Sequence, residues 1–174
     1  MSAVVERRMS GALKPFDAQN HQDNDQIARD AMLAFLRSVN TECTHIENPN
    51  VYGIDLLTLG ANNEVVFCWE LERRVRHWVG DIKFPFKTIN CFERKDYQWR
   101  KDSSFTKNIP YKLAADCKVF FVQMNDLCNR AAVIDGDIIL KHPLVPHANR
   151  FMRNGSENIR QIPIEDIEMW DIKI

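Results

Sequence analysis

The sequence has no apolar run long enough to cross a membrane and no pair of cysteines at metal-binding spacing. A membrane-spanning helix needs about 20 consecutive apolar residues, and no stretch of the 174 residues approaches that length. The N-terminal segment carries arginines but lacks the apolar core of a secretory signal. The five cysteines are odd in number and widely spaced, which argues against a disulfide framework or a zinc knuckle. These absences favour a cytoplasmic protein with no membrane partner.

Internal repeats and low-complexity segments are also missing, so the length of the chain favours one domain. A chain of this size buries roughly two thirds of its unfolded surface, enough for a real core. Residues 1–22 show no clear period and are predicted to form an N-terminal arm, while 23–174 form the domain. The predicted order is a helix, a strand hairpin, a basic segment and further strands. That order indicates a mixed α/β or α+β fold, with a central mixed sheet flanked by helices.

Hydrophobic spacing and turn chemistry predict the individual elements. The segment 23–25 offers an N-cap for a helix that ends near Ser38, with an apolar stripe at Ile27, Ala31, Ala34, Phe35 and Val39. Short strands are predicted at 43–46 and 118–124, and a short helix at 94–100. We expect Asp135-Gly136 to be a hairpin turn between two short strands and not a metal loop. The segment 143–154 is predicted to be irregular.

The stretch that carries the most chemistry is 52–74, YGIDLLTLGANNEVVFCWELERR. It contains two apolar, β-branched runs joined by turn residues at 60–63. If 61 and 62 form a two-residue loop, Asp55 lies opposite Cys68, and Glu70 is its diagonal neighbour. Since alternate side chains of a strand share a face, Glu70 and Glu72 point the same way.

Three carboxylates, those of Asp55, Glu70 and Glu72, are thereby predicted to converge with no basic residue among them. Like charges repel and titrate abnormally, so such a cluster usually needs a cation, here Mg²⁺ or Mn²⁺. The alternative is a set of acids on a solvated hairpin face without a function. Apolar residues on both faces of the two runs argue against that alternative, because they indicate a central strand pair covered on both sides. Carboxylates are costly there unless they are bound.

A basic segment follows the hairpin. Residues 73–118 hold twelve Lys and Arg against five Asp and Glu, a local excess of +7 in a chain of net charge −1. Eight aromatic residues are interleaved with these cations, a composition that suits a phosphate backbone lying across the site. The candidate nucleic-acid-binding residues are Arg73, Arg74, Arg76 and Arg94. The alternative is a solvated basic surface over an aromatic core.

The run that contains Asp55, Glu70 and Glu72, GIDLL followed by VVFCWELE, resembles the core motif of the PD-(D/E)xK nuclease superfamily, which has the restriction-endonuclease-like fold. That motif is an acid on one strand and acid-x-lysine at the end of the neighbouring strand, usually after a helix. The resemblance spans about residues 25–125 and implies a metal-dependent nuclease. In the family, the acids hold Mg²⁺ or a similar ion, and the lysine positions or activates water for in-line attack on a phosphodiester. The implied partner is nucleic acid, with DNA favoured over RNA; a homodimer or a protein partner stays open.

The sequence departs from the family pattern at two positions. Ile54 replaces the proline before the first acid, and Glu72 replaces the lysine. Some restriction endonucleases carry glutamate there, which would make Glu72 a third metal ligand or a water-orienting base. Lys87 and Lys95 are the candidates for a catalytic cation supplied from elsewhere. The alternative function is an inactive scaffold that binds nucleic acid or a protein, in the manner of phage-encoded or mobile-element accessory proteins.

Overall fold

The computed structural model describes residues 18–50, 53–100, 102, 103, 106, 108–148 and 155–173, with only the backbone described for 18–24. Over these residues the chain forms a long helix, a six-stranded mixed sheet and a three-stranded antiparallel sheet. The predicted mixed α+β fold around a central mixed sheet is therefore confirmed. No helix in the described ranges is long and apolar enough to span a membrane. Most of the predicted N-terminal arm lies outside the described residues, as does Tyr52 of the hairpin.

The helices are α1 (Ala18–Val39) and α2 (Gly136–Lys141), with two short 3₁₀ helices, η1 (Glu93–Trp99) and η2 (Ile164–Asp166). The strands are β1 (Thr44–Glu47), β2 (Leu56–Leu59), β3 (Val65–Arg74), β4 (Thr88–Phe92), β5 (Leu113–Asn125), β6 (Arg130–Asp135), β7 (Leu144–Ala148), β8 (Ser156–Pro163) and β9 (Glu168–Asp171).

The large sheet has the strand order β1-β2-β3-β5-β6-β9, and the small sheet has the order β4-β8-β7. All neighbouring pairs are antiparallel except β3 and β5, which run parallel from Phe67 opposite Lys118 to Arg74 opposite Asn125. A parallel pair needs a long crossover connection. Residues 75–112 supply it, and they carry β4 and η1.

Apolar side chains cover both faces of the central strands, as predicted. On one face, Leu56, Trp69 and Val122 pack against α1. On the other face, Cys68 and Phe121 belong to a core shared with the small sheet and η1, through Ile89, Cys91, Trp99 and Ile162. The middle of the sheet is thus covered on both faces, whereas the residues at the end of β3, from Glu70 to Arg74, are partly exposed.

The register of the central hairpin differs from the prediction. Leu56 pairs with Trp69 and Leu57 with Cys68, and a bulge follows Thr58. The loop is longer than predicted, because Asn63 adopts the left-handed region at φ 63° and Gly60 N–H donates to Glu64 O at 2.9 Å. The longer loop and the bulge together shift the pairing by two residues. Asp55 precedes the paired residues of β2, and its predicted position opposite Cys68 is wrong, because Cys68 pairs with Leu57.

Helix α1 already includes Ala18, so it extends beyond the predicted N-cap at 23–25. Its buried stripe is also one residue away from the predicted one. Ala28, Met32 and Leu36 are buried, whereas Ile27 and Val39 are exposed.

The predicted hairpin turn at Asp135-Gly136 is wrong, because α2 begins there. Asp135 caps the helix by accepting from Asp137 N–H at 2.9 Å. A Cβ at Gly136 would lie 3.0 Å from the carbonyl oxygens of Trp99 and Val119, so the glycine allows a close backbone approach. The segment 143–154, predicted to be irregular, contains β7 in its described part.

Candidate functional site

Asp55 immediately precedes β2 and is held by both its backbone and its side chain. Its N–H donates to Trp69 O at 3.1 Å, and its carbonyl accepts from Asn48 N–H at 2.9 Å. Asp55 Oδ2 accepts from Leu71 N–H at 2.8 Å, and Oδ1 accepts from Arg29 Nη1 at 3.1 Å. Burial raises the pKa of Asp55, and the Leu71 N–H and the Arg29 guanidinium oppose that rise. The carboxyl is therefore fixed in place although its charged form is disfavoured.

Arg29 is a residue of this site that the sequence interpretation missed. It lies on α1, and its side chain is 23% exposed. Its Nε is 3.9 Å from Glu47 Oε2, and among the described residues this buried nitrogen has no hydrogen-bond partner. The expectation that no basic residue lies among the acids is therefore wrong for Asp55. The sequence of the hairpin could not indicate this contact, because Arg29 reaches Asp55 from α1.

Glu70 lies on β3 between the two residues whose backbones bind Asp55, since Trp69 O accepts from the Asp55 N–H and Leu71 N–H donates to its carboxylate. Burial raises the pKa of Glu70 to about 8, and the charge of Asp55 adds to the rise, while Lys95 on η1 opposes it. Gln98 Nε2 donates to Glu70 Oε1 at 3.1 Å. Glu70 is thus protonated near neutral pH unless a cation stabilises its charge.

Glu72 lies two residues further along β3 and has partners of its own. Its Oε1 forms an ion pair with Arg74 Nε at 3.3 Å, without the alignment of a hydrogen bond. Gln123 Nε2, from the neighbouring β5, donates to Glu72 Oε2 at 3.2 Å. Glu72 still contributes to the raised pKa of Glu70, as does Asp25 on α1. Glu72 is therefore electrostatically connected to the acid pair but oriented toward Arg74 and Gln123.

Two adjoining cavities lie between β3 and the small sheet, and Glu72 lines one of them. The first, the Glu72–Lys95 cavity, has a volume of about 320 Å³ and is lined by Glu72, Arg74, Asn90, Arg94 and Lys95 among others. The second, the Arg74–Phe86 cavity, has about 260 Å³ and is lined by Arg74, Phe86, Asn90 and Gln123 among others. Both include Arg74 and Asn90, so they form neighbouring parts of one cleft.

Five of the predicted basic residues separate into two groups according to whether they line the cleft. Arg74, Arg94 and Lys95 line the Glu72–Lys95 cavity, although Arg94 also pairs with Glu157 at 3.1 Å. Arg76 is exposed in the turn after β3, and Lys87 is exposed just before β4.

Arg73 is different, because strand alternation places it on the face opposite Glu72. Its Nε donates to the backbone carbonyl of Asp126 at 2.9 Å, and Nη2 donates to the same oxygen. That bond ties β3 to the end of β5, so Arg73 is a structural residue on the side of the sheet away from the acids.

The donor set at Asp55 and Glu70 fits a hard divalent cation in its chemistry. Carboxylate oxygens are the ligands that Mg²⁺ prefers, and a cation would replace the proton that Glu70 otherwise needs. Gln98 presents its amide nitrogen to Glu70, and its buried amide oxygen has no hydrogen-bond partner among the described residues. Within the described ranges, however, no group of three His, Cys, Asp or Glu side chains is arranged to hold a metal ion. Metal binding at Asp55 and Glu70, and the part of Glu72 in it, remain predictions.

No known protein-family model matches the sequence, and no curated protein is significantly similar to it. The interpretation of this site consequently depends on the geometry described above and on the resemblance of the hairpin residues to the nuclease motif.

Proposed function

We propose that this protein is a metal-dependent nuclease that hydrolyses phosphodiester bonds in nucleic acid, with DNA as the preferred substrate. The observation that supports it best is the Asp55–Glu70 pair. The two carboxyls are close enough for the charge of Asp55 to raise the pKa of Glu70, and burial raises the pKa of each. Perturbed pKa values are typical of functional sites. An arrangement that only stabilised the fold would be served better by neutral or apolar residues there.

In this function Asp55 and Glu70 hold Mg²⁺ or Mn²⁺, and Glu72 serves as a further ligand or orients water. When bound, the ion supplies Lewis-acid stabilisation of the charge that develops on the phosphate. Lys95 adds positive charge near the acid pair, because its charge already lowers the pKa of Glu70. Arg74 and Arg94 border the same cavity, where they bind flanking phosphates.

Lys87 and Arg76 are exposed and act further out, on the nucleic-acid backbone. Lys87 is therefore a weaker candidate for the catalytic cation than Lys95.

A second candidate function is an inactive scaffold of the same fold that binds nucleic acid or a protein. The ion pairs of Asp55 with Arg29 and of Glu72 with Arg74 favour it. In both, a guanidinium already neutralises an acid that a metal ion would otherwise use. A site that keeps its own cations has no requirement for a bound one.

Thermal unfolding with and without Mg²⁺ or Mn²⁺ distinguishes the two functions. A cation that binds only the folded state stabilises it by mass action, by about 2.7 kcal/mol at a concentration one hundred times Kd. We expect a rise in Tm for the parent, no rise for Asp55→Asn, and a normal rise for the control Asp116→Asn, which changes an exposed acid on β5. Cleavage of single- and double-stranded DNA and RNA should follow the same pattern. A parent that binds nucleic acid without any metal response or cleavage would favour the scaffold.

A further inference from the structure

We propose that the Arg74–Phe86 cavity receives one unstacked nucleobase of a single-stranded segment whose backbone crosses the acid pair. The inference rests on the proposed function, since it assumes that nucleic acid occupies the cleft. It adds a substrate class, namely an unpaired strand, and a binding site for the base. The shared chemistry of DNA and RNA bases makes both candidate ligands.

An aromatic ring stands at this cavity. Phe86 lines the cavity and is 37% exposed. Its ring packs edge-on against Phe84, with ring centroids 5.4 Å apart and planes at 73°. Phe84 in turn packs edge-on against the buried Trp78 at 5.0 Å. The ring is thus supported from behind while part of its surface is open, as a stacking platform for a base requires.

Two amide side chains supply hydrogen-bonding groups in the same cavity. Asn90 Oδ1 is buried and has no hydrogen-bond partner among the described residues, so its desolvation is uncompensated until a donor arrives. Gln123 is 1% exposed and is held in place by its bond to Glu72. Amides next to an aromatic ring are the groups that read the edges of unpaired bases.

The position of the cavity relative to the acids fits one strand crossing both. Glu70, Glu72 and Arg74 occupy every second position of β3, so their side chains share one face. At about 3.3 Å per residue, the α-carbons of Glu70 and Arg74 are about 13 Å apart. Arg74 borders both cavities and is placed to bind the phosphate between them. A base paired in a duplex is held in its stack and cannot enter a recess of this kind without being extruded.

The test measures binding by fluorescence anisotropy in EDTA, which prevents metal-dependent cleavage. The probes are labelled single strands of DNA and of RNA, the matching duplexes, and single strands with an abasic site placed at each position in turn. We expect the parent to bind a single strand more tightly than the duplex, and one abasic position to weaken binding. Phe86→Ala should weaken binding of the intact strand about 5- to 150-fold, the range of one base–aromatic stack. Phe86→Trp should restore it.

The abasic probe makes the test specific for the cavity. The losses from Phe86→Ala and from the critical abasic site should not add, because both remove the same contact. The control Val39→Ala changes an exposed residue at the end of α1 and should bind like the parent. Losses that add fully, or an equal preference for duplex, would overturn the base site while leaving the nuclease proposal intact. A parent that binds none of the probes at low salt and cleaves none of them in Mg²⁺ or Mn²⁺ would instead overturn the proposed function.

Discussion

The Arg29 guanidinium on α1 lies 3.1 Å from the Asp55 carboxylate, at a point where strands β2 and β3 bring two acids together. Both side chains are largely buried, at 23% and 19% exposure. Asp55 therefore has a cationic partner before any ligand binds. A divalent ion that uses Asp55 has to compete with Arg29, and the position of α1 is coupled to the state of the site.

Replacing Arg29 by glutamine should weaken the fold and strengthen metal binding. Leaving a buried carboxylate without its charged partner destabilises the fold by about 1–3 kcal/mol. Urea unfolding without metal should therefore show a lower free energy of unfolding. Without the competing guanidinium, Mn²⁺ should bind several-fold more tightly, because like charges no longer repel at the site. Arg37→Gln, on the same helix, removes a bond to the His45 carbonyl and should leave the Mn²⁺ affinity unchanged. Equal Mn²⁺ affinity in the parent and Arg29→Gln would contradict the competition.

Glu70 should make the protein less stable as the pH rises from about 5 to 8. Its pKa is raised from 4.5 to about 8, so in this window the folded state holds a proton that the unfolded state has lost. The free energy of unfolding therefore falls with rising pH through the window and becomes level above it. Asp55, with its raised pKa, acts in the same direction.

The side chain of the variant Glu70→Gln cannot titrate, so the free energy of unfolding should depend less on pH. At pH 8 this free energy should be higher than that of the parent, by on the order of a few kcal/mol. Urea unfolding at pH 5 to 9 measures it, with the exposed Glu42→Gln as a control. Saturating Mg²⁺ should also flatten the slope in the parent by displacing the proton. A parent whose stability is independent of pH in this window would show that Glu70 is charged in the folded state.

Glu72 tests whether the acids form a working site. If it is a metal ligand or orients water, Glu72→Ala should reduce cleavage by a factor of about 100 to 1,000, the scale on which removing one transition-state contact acts. Glu72→Lys should be tolerated, since a lysine can supply the charge stabilisation by itself. Glu42→Ala changes an exposed acid outside the site and provides a control that should leave cleavage unchanged. A parent that cleaves nothing while Glu72→Lys cleaves would mean that the scaffold is kept for binding.

The arginines should differ according to the face of the sheet that they occupy. Arg74→Ala and Arg76→Ala should each reduce the slope of log binding constant against log salt by about one, the effect of one lost phosphate contact. Arg73→Ala should leave that slope unchanged and lower the free energy of unfolding, because its guanidinium binds the Asp126 carbonyl. Salt titrations and urea unfolding on the same three variants give both quantities. A lower slope for Arg73→Ala would show that this arginine contacts phosphate after all.

Local patterns predicted the elements that depend on local interactions. The first strand, the two runs of the hairpin, the short helix near η1 and the strand at β5 all follow from alternation and apolar content within a few residues. The prediction was wrong where two structures share one local signal. Asp135-Gly136 suits a hairpin turn and a helix N-cap equally well, and the choice depends on Trp99 and Val119, which are distant in sequence.

The composition of the site could be predicted only in part. Asp55, Glu70 and Glu72 stand out because acids inside apolar runs are unusual. Arg29 and Gln98 come from other elements, and their contacts depend on how α1 and η1 pack on the sheet. The register shift arose from one backbone conformation at Asn63 and one bulge, neither of which the residue types determine.

The crossover that joins β3 to β5 has a second consequence. A parallel strand pair requires a long connection, and here that same segment supplies Lys95, Gln98, Asn90 and Phe86, which form the wall facing the acids. The acids are fixed by the large sheet, and the wall is fixed by the pairing of β4 with β8 and by the buried side chains of Ile89, Cys91 and Trp99. A change in the packing of the small sheet would therefore move the whole wall relative to the acids.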